Sequence, residues 1–410
     1  NTAVGINALN ANEGGWMNTA VGEESLLSNI DGLENVGVGY AALGFNSSGN
    51  YNTAVGTHAL FNTTASNNTA VGNDALRTNT TGSDNTAIGM ATLYHNIDGY
   101  LNTAIGSNAL SNNDYGNDNI AIGASSLLYN LGGSSNVAVG NASMYLNETG
   151  EYNAAVGNSA LQGNVSGSHN SALGALSLYS NNSGNYNIGV GENALYNLTS
   201  TTRNTAVGCF AGDSYAPGNY NTYIGAYSDA VVSAFINSTA IGDGSSITGS
   251  NMVRMGDAFV TSIGGQVGWT TLSDSRFKKN VKENVAGLDF INQLRPVTYT
   301  VDVTGLNQFL KIPDSVCNKP GFDAKEKIVY SGFIAQEVEA SAKKIGYDFS
   351  GVDAPKNEND YYGLRYGDFV VPVVKSIQEL STENDLLKTE NAEQREQIES
   401  LNSKLEKMGR

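Results

Sequence analysis

Asn18-Thr19-Ala20-Val21-Gly22 is one copy of the five-residue motif that decides the fold of this chain. The same pattern, with small changes, starts at Asn1 and returns every 17 residues, except for one step of 16 between Asn52 and Asn68. Fifteen copies can be aligned. A fixed period of this length is typical of a solenoid, in which each repeat is one coil stacked on its neighbours. We therefore predict a β-solenoid rod over residues 1–250, of mainly β structure.

Columns of the repeat predict how each coil is packed. The fifth position is glycine in every copy, from Gly5 to Gly242, which predicts a positive φ or a close backbone approach. The ninth position is leucine in most coils, and this column ends at Gly212, where glycine replaces leucine. Alternation along Thr-Ala-Val puts threonine and valine on one face of a short strand and alanine on the other. We expect the valine and leucine columns to fill the coil interior and the alanine strip to face two further copies of the chain.

The first position of the repeat is asparagine in nearly every copy, and these amides are expected to stack coil over coil. With about 4.8 Å between paired strands, fifteen coils predict a rod of roughly 70 Å. The array resembles the left-handed β-roll of trimeric autotransporter adhesin heads, whose repeats run Asn-Ser-Val-Ala-Ile-Gly. The resemblance covers about residues 1–245 and implies a parallel trimer and attachment to a surface.

Charge divides the chain at about residue 272. Residues 1–272 contain 3 Lys+Arg against 17 Asp+Glu, a net charge of −14, whereas residues 273–410 contain 19 against 22, a net charge of −3. An acidic, nearly lysine-free rod is a poor match for a phosphate backbone, so no nucleic-acid binding is expected. No apolar stretch approaches the ~20 residues of a membrane helix, so no membrane insertion is expected. Residues 251–272 are predicted to be a β-rich transition segment between two domains.

Side chains that could bind a metal do not line up in the rod. His58, His95 and His169 occupy different positions of the repeat, so no metal and no cofactor is expected. Cys209 and Cys317 lie on opposite sides of the boundary and are interpreted as small, semi-buried hydrophobes rather than a disulfide framework.

Tyrosines in the turns could contact sugars, although packing within the turns is the simpler interpretation. They are Tyr94, Tyr129, Tyr145, Tyr179 and Tyr196. Carboxylates are sparse in the array and form no convincing acid pair, so a glycan-degrading spike is the least favoured function.

The C-terminal segment limits the hydrolytic chemistry that it could support. Residues 273–410 contain no histidine, which excludes a Ser-His-Asp arrangement within them. A serine with lysine as base remains, provided that burial or nearby cations lower the lysine pKa from ~10.4 toward about 7–8. Ser273 and Lys278 lie five residues apart at the start of this segment.

The stretch Ser273-Asp274-x-Arg276-x-Lys278 resembles the entry motif of the intramolecular chaperone auto-processing domain of endosialidases and other phage tail spikes. Arg295-Pro296-Val297-Thr298-Tyr299, then residues 332–338 and 366–372, follow in the order of that family. The resemblance covers about residues 273–385. It implies a domain over residues 273–369 that drives trimerisation and folding of the preceding stalk.

By the same resemblance, the domain releases itself as a single-turnover serine endopeptidase that cuts between Leu272 and Ser273. Ser273 is then the nucleophile and Lys278 the base, while Asp274 and Arg276 orient the motif. No activity on external substrates is implied. Glu337 is interpreted as a surface carboxylate rather than a catalytic group.

A long helical pattern ends the chain. From Val370 to about Lys407, apolar residues follow 3-4 spacing, which predicts a trimeric coiled coil over residues 370–410. Polar residues within such a seam fix register and oligomer number. A single amphipathic helix packed on its own domain is the alternative. The predicted seam consists of Ile377, Leu380, Asn384, Leu387, Asn391, Gln394, Ile398, Leu401 and Leu405.

These features predict a homotrimeric tail-fibre or surface-adhesin segment, on a virion or a bacterial cell surface, whose C-terminal domain cuts itself off. The alternative is an uncleaved trimeric adhesin that keeps this domain as a cap. A host-surface glycan or protein is the expected class of receptor. The chain starts within its own repeat pattern, so we expect it to be part of a longer protein.

Overall fold

The computed structural model describes residues 1–213, 217–232, 234–312 and 325–408 of the chain. The N-terminal part is a β-solenoid of about fifteen turns, which confirms the interpretation of the repeat. Within the described residues, sixteen short strands pair in parallel in one sheet, each with the strand of the next coil. The single 16-residue step leaves the register intact, because Thr53 still pairs with Thr69.

The strands of the solenoid are two or three residues long. In chain order they are β1 (Thr2–Val4), β2 (Thr19–Val21), β3 (Val36–Val38), β4 (Thr53–Val55), β5 (Thr69–Val71), β6 (Thr86–Ile88), β7 (Thr103–Ile105), β8 (Ile120–Ile122), β9 (Val137–Val139), β10 (Ala154–Val156), β11 (Ser171–Leu173), β12 (Ile188–Val190), β13 (Thr205–Val207), β14 (Thr222–Ile224), β15 (Asp229–Ala230), β16 (Thr239–Ile241), β17 (Ser246–Ile247) and β18 (Val253–Met255). β15 pairs with β17 in a separate small sheet.

The strands point alanine inward and valine outward, so the predicted packing of these two columns is wrong. Ala20, Ala54 and Ala87 are fully buried, whereas Val21 and Ile88 are 37% and 40% exposed. Each coil interior also holds a leucine, and a close-packed interior leaves room for only a small side chain opposite it. The column of valine and isoleucine, and not the alanine strip, therefore forms an exposed apolar face along the rod.

The ninth-position leucines are buried, as predicted. Leu26 and Leu110 are fully buried and adopt φ of 52° and 51°. The column fails at Gly212, and in the next coil Tyr223 replaces the buried alanine of the motif. A Cβ on Gly212 would lie 2.8 Å from Cδ2 of Tyr223 and equally close to the Leu195 side chain. The tyrosine ring therefore occupies the space of the missing leucine.

The glycine column meets both conditions that the sequence suggested. The fifth-position glycines have φ between 115° and 143°, a region that residues with a Cβ rarely enter. A Cβ on Gly22 would also lie 2.5 Å from the carbonyl oxygen of Gly39 in the next coil. Coils can therefore stack at strand spacing only if this position lacks a side chain.

Buried asparagines connect the coils through their amides. Asn18 Nδ2 donates to the carbonyl oxygen of Gly32 at 2.7 Å, and Asn18 Oδ1 accepts from the N–H of Asn35 at 2.9 Å. This first-position ladder was predicted. A second ladder, at the twelfth position, was not: the Asn113 amide donates to Asn96 Oδ1 at 2.7 Å. These bonds satisfy polar groups that the coil interior hides from water.

The chain divides into two compact units. One contains Asn1–Val260 together with residues 306–312, and the other contains Thr261–Gly305 and residues 325–408. The elements that follow the solenoid are α1 (Leu288–Ile291), β19 (Val297–Tyr299), α2 (Val303–Phe309), β20 (Tyr330–Gly332), α3 (Ala335–Lys344), β21 (Val352–Asp353), β22 (Gly363–Leu364) and α4 (Val370–Met408).

The second unit is a small α/β region that continues into a long helix. β19 pairs with β20, and β21 with β22, both antiparallel. α4 starts where the helical pattern of the sequence starts. The core of the unit is built mainly of aromatic and small apolar side chains, namely Phe290, Val338, Ala342, Phe349 and Phe369.

Candidate active site

A single 3-10 turn, Ser275–Phe277, shapes the predicted cleavage site. Asp274 caps the turn, since its Oδ1 accepts a hydrogen bond from the backbone N–H of Arg276 at 2.9 Å. The Arg276 guanidinium donates to the same carboxylate, with Nε 2.9 Å and Nη2 2.6 Å from Oδ2. The two motif residues therefore hold the chain in a closed turn between Ser273 and Lys278.

Asp274 and Arg276 stabilise the charged forms of each other. Hydrogen bonds from the Arg276 side chain, and then from its backbone N–H, lower the pKa of Asp274. The carboxylate in turn raises the pKa of Arg276. Both groups lie at the surface, where an ion pair adds little stability. Their contribution is geometric, because the pair fixes the turn between Ser273 and Lys278.

The closed turn brings the predicted nucleophile and base together. Lys278 Nζ donates a hydrogen bond to Ser273 Oγ at 2.8 Å. Both side chains are exposed, and the preceding residue, Leu272, is 75% exposed. A neutral lysine amine at this distance could accept the hydroxyl proton, whereas an ammonium only donates to the oxygen. In the single chain this Ser273–Lys278 dyad lies in a solvated setting, with its two polar atoms within hydrogen-bond distance of each other.

The later motifs of the segment meet in one cluster. Arg295, which precedes β19, donates through Nε to Glu337 Oε2 at 3.0 Å, and its Nη2 contacts the other carboxylate oxygen. The N–H of Phe333, after β20, donates to Tyr366 Oη at 3.0 Å. The hydrogen bond from Arg295 lowers the pKa of Glu337. Glu337 thus links two motifs, a contact that sequence reasoning missed because the partners are 42 residues apart.

The predicted seam lies along α4 and is exposed in the single chain. Ile377, Leu387 and Leu401 are 60%, 50% and 58% exposed. Asn391, one of the polar seam residues, donates to the carbonyl oxygen of Leu387 at 2.8 Å within the helix. Nothing in the described unit covers this stripe, so it is available to another helix.

The tyrosines considered for sugar contact pack against other side chains of the rod. Tyr179 and Tyr196 stack with ring centroids 4.9 Å apart, and Tyr129 meets Tyr145 edge to face at 5.3 Å. Tyr94 meets a histidine ring in the same way at 4.6 Å. These contacts favour the interpretation as turn packing.

No group of three or more potential ligand side chains could hold a metal ion among the residues with described positions. Cys209 is a free thiol whose pKa is raised by burial and by the charge of Glu192, and Cys317 lies outside the described residues. In the ranges that the structure covers, no helix combines the length and the apolar character needed to cross a membrane.

Comparison with known proteins bears on the second unit. Residues 273–347 match the model of a family described as the chaperone of endosialidase. No curated protein matches the chain. The matched segment starts at Ser273 and contains the dyad and the Arg295–Glu337 pair. Residues 273–347 are therefore similar to the chaperone-of-endosialidase family, and a long β-solenoid precedes them.

Proposed function

We propose that this chain is a fibre segment of the tail-fibre or tail-spike type whose C-terminal domain assembles three copies, directs folding of the solenoid and then cuts itself off. The observation that carries the cleavage is the 2.8 Å contact between Lys278 Nζ and Ser273 Oγ, in the turn directly after Leu272. The family match that begins at the same serine supports it.

The reaction runs within one peptide segment. Ser273 Oγ gives its proton to neutral Lys278 Nζ and attacks the carbonyl carbon of Leu272. The C–N bond between Leu272 and Ser273 breaks, and the nitrogen takes the proton from Lys278 to become the free α-amine of Ser273. The acyl group is then an ester on Ser273 Oγ. Water hydrolyses the ester, which leaves a carboxylate on Leu272 and restores the serine hydroxyl.

The base in this scheme must be neutral, and burial favours the neutral form of a lysine. Ser273 and Lys278 are exposed in the single chain. We infer that packing of three copies covers the dyad, so that cleavage follows assembly. The order matters because a domain released early could no longer hold the chains together.

Two exposed apolar stripes support assembly into a trimer. One is the outward valine and isoleucine column of the rod, where Val55 and Ile105 are each 37% exposed. The other is the seam of α4, including Leu387 and Leu401. Continuous apolar surface of this extent is uncommon on a monomer. Further copies of the same chain match its coil spacing along the whole rod, which makes them the fitting partner.

A chaperone is useful to this fold because its contacts are distant in sequence. Each strand pairs with one that lies a full repeat away, as Thr19 does with Val36, and no local hairpin sets the register. Non-local parallel pairing forms slowly and leaves edges open to aggregation. Joining three C-termini raises the effective concentration of the chains. Folding can then spread from that end along the rod.

Denaturing mass measurement of the expressed chain tests the cleavage. We expect two products, residues 1–272 and 273–410, and an intact chain in Ser273→Ala and in Lys278→Ala. Lys282→Ala, which changes a nearby exposed lysine, serves as the matched control and should cleave normally. An intact wild-type chain, once assembled, rejects self-cleavage.

The second candidate is an uncleaved trimeric adhesin that keeps the domain as a cap. The exposure of Ser273 and Lys278 favours it, since a solvated lysine is a poor base. A trimer of full-length wild-type chains would support this candidate. A trimer of residues 1–272 alone would reject it.

A further inference from the structure

The rod surface of residues 45–94 carries a cluster of aromatic and charged side chains. The guanidinium carbon of Arg77 lies 5.9 Å from the ring centroid of Phe61 and 5.7 Å from that of Tyr94. Cation–π contacts with the two rings hold the guanidinium in place. Arg77 is the only lysine or arginine among residues 1–202, so no other coil in that range repeats the arrangement.

Three polar side chains of the cluster meet at one carboxylate oxygen. Asp74 Oδ1 accepts a hydrogen bond from Arg77 Nη1 at 3.2 Å and lies 3.4 Å from His58 Nδ1. Arg77 Nη1 also donates to Tyr94 Oη at 3.2 Å. Among the described residues, Nε and Nη2 of Arg77, Oδ2 of Asp74 and Nε2 of His58 have no hydrogen-bond partner. The cluster therefore offers donors and an acceptor on side chains that are between 21% and 34% exposed.

Phe45 adds an open aromatic face to the cluster. It is 48% exposed and meets Phe61 edge to face, with ring centroids 4.8 Å apart and planes at 82°. The coils before and after it present only Ser28 and Asn62 at the same position, the eleventh of the repeat. In the parallel stacks of the C-terminal coils, by contrast, each ring covers a face of its neighbour. The perpendicular contact leaves at least one face of the Phe45 ring uncovered.

The rings and the guanidinium of the cluster lie on the wall of the coil that faces away from the strands. They occupy the tenth and eleventh positions of the repeat, which directly follow the buried leucine of each coil. A Cβ on Gly37, which takes the place of a strand alanine, would lie 3.5 Å from Cγ of Leu26. Leucine and strand therefore pack against each other across the coil interior. Three copies that meet through their strand faces leave the opposite wall open.

The chemistry of the cluster selects a neutral, hydroxylated ligand. The charges of Asp74 and Arg77 cancel, and residues 1–272 carry 3 Lys+Arg against 17 Asp+Glu, so the rod repels a polyanion. Hydroxyl groups both donate and accept hydrogen bonds, which suits an arginine edge beside a carboxylate oxygen. Sugar rings also present an apolar C–H face that packs on aromatic rings. Phe45 and Arg77 belong to coils two repeats apart, about 10 Å along the rod, which is close to the length of a disaccharide.

We propose that the cluster binds a neutral oligosaccharide, with one sugar ring on the face of Phe45 and the hydroxyls of the next ring on Asp74 and Arg77. This inference rests on the fibre role of the proposed function, for which it supplies the class of receptor. All contacts of the site lie within one chain, so binding does not require cleavage. Three parallel copies present three such sites at one height of the rod, which strengthens attachment to a surface that carries many glycans.

Binding of the full chain to an immobilised array of neutral and acidic oligosaccharides tests the site. Wild type should bind neutral members, and the strongest of them is then titrated calorimetrically against each variant. Phe45→Ser and Asp74→Asn introduce residues that other coils carry at the same positions, so the coils should still fold. Each change should weaken binding at least about tenfold, since it removes a ring face or a charge-assisted hydrogen bond. Phe45→Tyr keeps the ring face and should stay within about threefold of wild type.

Tyr129→Ser is the matched control. Tyr129 stands at the same position of the repeat and is 41% exposed, but no arginine lies in its coil or in the coils beside it. The change should leave the affinity within about twofold of wild type. A wild-type chain that binds no neutral member of the array, or only acidic ones, overturns this inference, and so does a Phe45→Ser chain that keeps wild-type affinity. Trimer formation and cleavage are read separately by mass, so these results leave the proposed function standing. A wild-type monomer that still binds a neutral member overturns the trimer and supports the site.

Discussion

Two successive coils that each break one rule of the repeat offer the sharpest test of how the rod is packed. Tyr223 stands where other coils have a buried alanine, and Gly212 stands where they have leucine. The Tyr223 hydroxyl is buried and has no hydrogen-bond partner in the described part of the chain. Burial, with the charge of Asp229 as a smaller cause, raises the pKa of Tyr223. The ring therefore fills a space at the cost of one unsatisfied hydroxyl.

The magnitudes follow from this arrangement. Tyr223→Phe removes the unsatisfied hydroxyl and should stabilise the rod by about 1 kcal/mol. Tyr223→Ala leaves a cavity, which typically costs ~3–5 kcal/mol of stability. Removing the unsatisfied hydroxyl at the same time offsets about 1 kcal/mol of that cost. Gly212→Leu alone forces a side chain into the ring and should cost roughly 1–3 kcal/mol. Combining Tyr223→Ala with Gly212→Leu restores the alanine–leucine pair of other coils, with a coupling of about 3 kcal/mol.

Thermal unfolding of the four variants, in a Ser273→Ala background that keeps the chain whole, measures the coupling through shifts in the midpoint. Tyr220→Phe is the control, because Tyr220 is 49% exposed and its hydroxyl is open to water. It should leave the midpoint unchanged. If the effects of the two single changes simply add in the double variant, the Tyr223 ring does not fill the space of the leucine missing at Gly212.

Three further predictions concern the backbone, a half-buried carboxyl and the helix. Gly123→Ala should lower the free energy of unfolding, measured by chemical denaturation, by at least about 3 kcal/mol. Gly123 has φ 131°, and a Cβ added there would lie 2.4 Å from the Gly140 carbonyl oxygen. Gly132→Ala is the control and should be nearly neutral, because a Cβ added at Gly132 would have no atom within 4 Å. Burial raises the pKa of Asp213 to about 6, above the ~3.9 of an aspartate in an unfolded chain. The folded protein therefore binds this proton more tightly, and the free energy of unfolding falls as pH rises from about 4 to about 6. Asp213→Asn should therefore flatten the difference in unfolding midpoint between those pH values, and an unchanged slope would contradict the burial. Leu387→Glu should abolish both trimer formation, measured by sedimentation, and self-cleavage, measured by mass. A monomer that still cleaves would show that cleavage does not depend on assembly.

Much of the rod could be predicted from the sequence because its period is exact enough to align columns. The glycine at the fifth position, the leucine at the ninth and the first-position asparagine each have one physical reason that holds in every coil. α4 could be predicted for the same reason, since its apolar spacing continues over several turns. The sequence did not predict correctly which face of each strand points into the coil. Alternation separates Val21 from Ala20 but does not say which points inward.

The prediction placed valine inside because a valine column suits a dry interior, and it assigned the strip of small alanines to a surface that another chain approaches closely. The structure buries alanine, because a coil that already contains leucine has little room left. The second asparagine ladder, which includes Asn113, was hidden among turn residues, where asparagine is common for other reasons. The geometry of the dyad could not be predicted from spacing alone. Ser273 and Lys278 are five positions apart, and their side chains come within 2.8 Å because Asp274 and Arg276 close the turn.

Native mass spectrometry of the wild-type chain tests the central claim most directly, because it reads assembly and cleavage in one spectrum. The account predicts a complex of three copies of residues 1–272, with residues 273–410 released. An intact chain that remains monomeric under the same conditions would contradict this claim.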